Sequence, residues 1–158
     1  MNRRKTILLA DDDKVQTMML TTQLRARGYS VATAYDATYA FMVAMKSPPD
    51  AVVLDIQMPG GTGKAVLERL KGSSKTNSIP VIILSGHSDR RIIEECKVLG
   101  AYEYLTKPAD VEKLDSVLRR ALGIEVAAPT SPAAPATPGD AAAPSGTPPD
   151  TGAGTPSA

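Results

Sequence analysis

The chain has 158 residues, about one domain's worth, with 18 Lys and Arg against 17 Asp and Glu. All 18 bases and 14 of the acids lie in residues 1–124, which therefore carry +4 against −3 for the rest, too mild a balance to argue for nucleic-acid binding, and no basic stripe interleaves with aromatics. One cysteine, Cys96, excludes an intrachain disulfide framework and fits a reducing compartment, and no apolar run nears the ~18 residues of a membrane span.

Arg3, Arg4 and Lys5 precede only Ile7-Leu8-Leu9-Ala10, too short for a signal-peptide core and read instead as a buried strand. A helix follows, with Val15, Met18, Met19 and Leu24 as its apolar positions, opened by Asp13 and closed by Gly28. Ser30-Val31-Ala32 is a short second strand, and Tyr39, Ala40, Val43 and Ala44 mark the second helix. Ala51-Val52-Val53-Leu54 is the third strand, followed by a helix with Val66, Leu67 and Leu70 that ends at Gly72. Val81-Ile82-Ile83-Leu84 is the fourth strand. Ile92, Ile93, Cys96 and Leu99 then repeat at i, i+1, i+4, i+7 on a helix running from Ser88 to Gly100. Tyr102-Glu103-Tyr104-Leu105 is the fifth strand, and Val111, Leu114, Leu118 and Ala121 define a last helix between Asp110 and Gly123. Cys96 and the methionines read as core filler.

The three strongest strands are apolar throughout, as in parallel strands covered on both faces. The alternation predicts an α/β fold, a (βα)5 doubly wound parallel five-stranded sheet with right-handed crossovers. Residues 125–158 hold eight of the 13 prolines, ten alanines and one large aliphatic, Val126. They are expected to be a disordered Pro/Ala-rich tail, leaving 1–124 as the folding unit. Pro129, Pro132, Pro135 and Pro138 have the polyproline II period, but no base flanks them, and a plain linker is the expectation.

In such sheets ligands bind beyond the carboxyl ends of the strands. The residues found there are Asp11, Asp12 and Asp13 after the first strand, Asp55 after the third, Ser85 after the fourth and Lys107 after the fifth. Close carboxylates repel, and a hard cation that prefers oxygen ligands, such as Mg²⁺, relieves that repulsion. One carboxylate can then attack phosphorus, with an ammonium and a hydroxyl on the phosphoryl oxygens. Asp13 alone would suffice as a helix cap, which leaves the other two acids to the cation. Gly60-Gly61-Thr62-Gly63-Lys64 is not a P-loop. Met58 stands where its first glycine should be, and Ala65 where Ser or Thr should follow the lysine.

Four motifs, in order at strand ends, resemble the receiver domain of bacterial two-component response regulators: Ile7-Leu8-Leu9-Ala10-Asp11-Asp12-Asp13, Val53-Leu54-Asp55-Ile56-Gln57-Met58-Pro59, Ile83-Leu84-Ser85-Gly86 and Tyr104-Leu105-Thr106-Lys107-Pro108. The resemblance runs from Lys5 to about Leu122 and implies a flavodoxin-like receiver fold. It implies that Asp55 is the phosphoacceptor, with self-catalysed phosphorylation and autodephosphorylation there. It implies Mg²⁺, or Mn²⁺, on Asp12, Asp55 and the backbone carbonyl of Gln57, with Asp11 on a metal-bound water. Ser85 would sense the phosphoryl group, Lys107 would pair with it, the Lys107–Pro108 bond would be cis, and Tyr104 would be the aromatic switch. Gln57 and His87 would tune dephosphorylation. Gly60 to Gly63 departs from the family pattern and suggests a looser loop.

The expected partners are a sensor histidine kinase or histidine phosphotransfer protein. A downstream protein would dock on the face of the last two helices and last strand, at Arg90, Arg91, Glu94, Glu95 and Tyr104. No nucleic acid and no membrane are expected, the location would be cytoplasmic, and output would come from a stand-alone receiver. Two alternatives carry different chemistry. One is a receiver-fold binding module that is never phosphorylated. The other is a haloacid-dehalogenase-like phosphatase with Asp11 as nucleophile and Asp13 as acid, which leaves Asp55 unexplained.

Overall fold

The structure, a computed structural model, describes residues 3–124. The expected tail, residues 125–158, lies outside the described residues. In chain order the elements are β1 (Thr6–Ala10), α1 (Lys14–Ala26), β2 (Ser30–Ala34), α2 (Ala37–Lys46), β3 (Ala51–Leu54), β4 (Gln57–Met58), β5 (Gly61–Thr62), α3 (Gly63–Gly72), β6 (Val81–Ser85), α4 (Arg90–Val98), β7 (Glu103–Thr106) and α5 (Val111–Leu122).

Five strands form one parallel sheet in the order β2-β1-β3-β6-β7. The alternation of side chains along each strand divides the core in two. Leu8, Ala10, Val52, Leu54, Val81 and Ile83 pack on one face with residues of α2, α3 and α4. Ile7, Leu9, Ala51, Val53, Ile82 and Leu84 pack on the other with residues of α1 and α5. Because both faces are covered, the strands need no polar positions, which explains their unbroken apolar runs.

The chain leaves β1 for the β2 edge and leaves β3 for the opposite edge. The crevice at this reversal lies between the carboxyl ends of β1 and β3, which pair directly in register Ala10 to Leu54.

Several local expectations are corrected. On α1 the buried positions are Thr17, Leu20, Thr21 and Leu24. Val15, Met18 and Met19 are 70%, 69% and 59% exposed, so these methionines are surface rather than core. The sheet takes the other stripe of the helix, which has the same 3.6-residue spacing. On α2 the inward residues are Ala37, Ala40 and Ala44, with Tyr39 and Met42 outside. Small residues let this helix sit close to the sheet. The cap of α4 is Asp89 rather than Ser88, its carboxylate accepting from the Arg91 amide at 2.8 Å. Gly72 is the last residue of α3 rather than its cap, which is Ser73, and Gly28 lies one position beyond the α1 cap, Arg27.

The glycine loop after Asp55 folds back on itself. Gln57–Met58 and Gly61–Thr62 pair as an antiparallel hairpin, and Thr62 caps α3 by accepting from the Ala65 amide at 3.1 Å. Gly63 is buried and donates to the Ile56 carbonyl at 2.7 Å. A Cβ there would lie 2.0 Å from the Asp55 carbonyl oxygen.

Candidate active site

Asp11 follows β1 and Asp55 follows β3, and both are buried. The backbone binds them into the sheet edge: the Asp11 amide donates to Ala34 and the Asp55 amide to Ala10. Asp12 is exposed at the mouth. Carboxylate oxygens of Asp11, Asp12 and Asp55 all lie within 4.8 Å of one another. Asp13 stands apart, capping α1 by accepting from the Gln16 amide at 3.0 Å. It has no part in the acidic cluster, which removes the second carboxylate that the phosphatase reading requires.

Lys107 follows β7 and reaches across the crevice. Its Nζ donates to Asp11 at 2.8 Å and to Asp55 at 3.0 Å. Burial disfavours the ammonium, but the two carboxylates outweigh it and hold the pKa above the ordinary lysine range. The second oxygen of each buried acid meets a backbone amide, Asp13 on Asp11 at 2.9 Å and Gln57 on Asp55 at 3.3 Å. The Lys107–Pro108 bond is cis, as expected.

Ser85 ends β6, fully buried, with its hydroxyl accepting from the His87 amide at 3.3 Å. Tyr104, on β7, is half-buried rather than exposed, and donates its hydroxyl to the His87 carbonyl at 2.6 Å. Burial pushes its phenol above the usual tyrosine range. Ser85 and Tyr104 thus hold the same residue of the β6–α4 loop, one at its amide and one at its carbonyl. Asp12, Gln57 and His87 line one cavity of about 500 Å³ beside the acidic cluster. Arg90, Arg91, Glu94 and Glu95 are exposed on α4, with Arg90 pairing to Glu94 and Glu95 to Lys64 of α3. Cys96 is fully buried, and burial pushes its thiol up, as fits a packing residue.

Sequence reasoning missed Gly63, whose bare Cα lets the hairpin close against Asp55.

The donor set fits a hard divalent cation: three carboxylates, no nitrogen or sulfur ligand in the cluster, and one acid exposed towards solvent for a water-bearing ion. A doubly wound sheet with such an acid cluster and a bridging lysine at its switch point defines a phosphoryl-handling α/β domain. Residues 7–119 match the response regulator receiver domain, and the chain belongs to that family.

The chain is 36% identical over 104 residues to Response regulator PleD of Caulobacter vibrioides, covering 66% of this chain and 23% of that protein. It is 30% identical over 128 residues to the acid tolerance regulatory protein ActR of Rhizobium meliloti, covering 81% and 65%. It therefore spans about a quarter of one relative and just under two thirds of the other. Among solved structures, the chemotaxis protein CheY4 of Vibrio cholerae superposes with a TM-score of 0.72 at 29% identity, covering 76% of this chain and all of that one. The receiver domain of a Pseudomonas aeruginosa sensor histidine kinase, with magnesium coordinated in its active-site cleft, gives 0.71 at 26% identity, covering 77% and 99%. No helix among the described residues is long and apolar enough to cross a membrane.

Proposed function

We propose that Asp55 accepts a phosphoryl group from a phosphohistidine donor in a Mg²⁺-dependent reaction, and that the product alters contacts on the α4–β7–α5 face. The observation that carries this reading is the bridge from Lys107 to both Asp11 and Asp55 within an oxygen-only cluster. Asp12, Asp55 and the Gln57 carbonyl would hold the cation, and Asp11 would orient a water on it. Mg²⁺, when bound, neutralises charge on the phosphoryl oxygens, and Mn²⁺ shares its preference for oxygen.

An Asp55 carboxylate oxygen attacks phosphorus in line. The P–O bond forms, the P–N bond to the donor imidazole breaks, and the imidazole carries its electron pair away. Lys107 shifts from its carboxylate partners towards the new phosphoryl oxygens. Ser85 donates its hydroxyl to another, which draws the β6–α4 loop and frees Tyr104 from the His87 carbonyl. Gln57 and His87, in the cavity beside Asp12, control water reaching the acyl phosphate.

Receiver domains of response regulators interact with histidine kinases. The apolar patch of Val15, Met18 and Met19 begins in the first turn of α1, directly after the acidic run, and suits docking of such a donor.

Intact mass after treatment with acetyl phosphate and Mg²⁺ tests the reading. The expected result is one added phosphoryl group in the native chain and none in Asp55→Asn. An adduct that survives Asp55→Asn, or none at all in the native chain, refutes it.

A further inference from the structure

Five cations line a second concavity, at the amino-terminal end of the sheet and opposite the acidic crevice. Arg3, Arg4 and Lys5 enter from the segment before β1, Arg27 from the end of α1 and Arg119 from α5. The cavity measures about 590 Å³, within the usual range for small-molecule sites. No acid is part of its lining.

Ordinary structural duties do not use up this charge. Asp50 pairs with Arg3 at 3.0 Å, and Asp115 lies between Arg119 at 3.1 Å and Arg27 at 3.6 Å. Those two acids leave three positive charges. The carboxyl ends of α1 and α5 also terminate here, each worth about half a negative charge. That still leaves a surplus of about two, and Arg4 and Lys5 have no ion-pair partner among the described residues.

We propose that this cavity binds a small molecule carrying two or more phosphate groups, of nucleoside triphosphate or inorganic polyphosphate type. Arginine forks suit phosphate oxygens, and the surplus charge needs more than one of them. Leu122 and Ile124 give the cavity an apolar side on which a nucleoside can rest. The concave shape favours such a ligand over a membrane surface or a duplex, which present broad faces. The site is remote from Asp55 and does not depend on its phosphorylation.

The full chain, in buffer with a chelator in place of Mg²⁺, is titrated by calorimetry with ATP and separately with inorganic tripolyphosphate. Binding is expected, weakening as salt is raised. The Arg4→Ala, Lys5→Ala double variant should bind about tenfold or more weakly, since it removes two charge-assisted contacts, from an exposed and a half-buried side chain. Amide resonances of Gly28 and Gly123 should shift, with Gly86 unmoved. Tighter binding of ATP identifies a nucleotide site, and equal binding identifies polyphosphate recognition. No binding of either probe, undiminished binding in the double variant, shifts confined to the Gly86 end, or binding only to phosphatidylglycerol vesicles overturns the proposal.

Discussion

At the scale of single residues, the site is a balance of buried charge. Asp11 and Asp55 are tolerable in the interior because Lys107 and two backbone amides satisfy them. Lys107→Met keeps the aliphatic stem and leaves two buried carboxylates facing each other. We expect a loss of about 2 kcal/mol without divalent cation, a discount on the fully buried case because the lysine is partly exposed. Mg²⁺ should recover more stability in this variant than in the native chain, read as thermal midpoints with and without the ion. Gly63→Ala should be worse, at about 3 kcal/mol or more, because its Cβ collides with backbone rather than with a movable side chain. Urea unfolding measures it. The strand-end residues were legible in the sequence, since Asp11, Asp55 and Ser85 directly end or follow a buried run and Lys107 follows the last strand and precedes a proline. Gly63 was not, because its constraint is a contact with the Asp55 carbonyl, made only when the hairpin folds back.

Among the elements, α1 is the instructive case. Val15, Met18 and Met19 repeat at i, i+3, i+4, and so do Thr17, Leu20 and Thr21, with Leu24 completing the second stripe. Periodicity cannot choose between two stripes of equal spacing. The more apolar stripe faces solvent, and on the buried stripe Thr17 returns its hydroxyl to the Asp13 carbonyl at 2.8 Å. Such an outward patch adds little to folding, and in the proposed function it serves donor docking. We therefore expect Met18→Lys with Met19→Lys to leave stability within about 0.5 kcal/mol. Transfer from a phosphorylated histidine kinase should slow severalfold, while labelling by acetyl phosphate stays unchanged. Equal slowing with both donors would assign the patch to the chemistry instead.

Over the whole molecule, α5 is fastened to the far edge of the fold through Tyr29. This residue is buried and donates its hydroxyl to Asp115 at 2.6 Å, joining the α1–β2 turn to α5. Burial first, and the Asp115 carboxylate second, raise the Tyr29 pKa well above the ordinary tyrosine value. The folded state thus holds the phenolic proton more tightly than the unfolded state. This contribution is complete below pH ~10 and is lost as pH climbs beyond it towards the raised folded value. Tyr29→Phe should cost about 1.5 kcal/mol at neutral pH. It should also flatten the alkaline fall in thermal midpoint, followed from pH 8 to 11.

The division between sequence and structure has a physical basis. Strand runs, their order, the parallel sheet and the chemistry at each strand end are local or nearest-neighbour properties, so the sequence alone determined them. Which strands become neighbours is not local. Pairing of β1 with β3 brings Asp11 to Asp55 across 44 positions, and β7 at the edge supplies a lysine long enough to reach both. The outward face of α1, the closed hairpin over Gly63 and the five-cation cavity likewise depend on packing between segments distant in the chain. Only the tertiary structure decides these, because long-range burial outweighs any preference a short stretch expresses on its own.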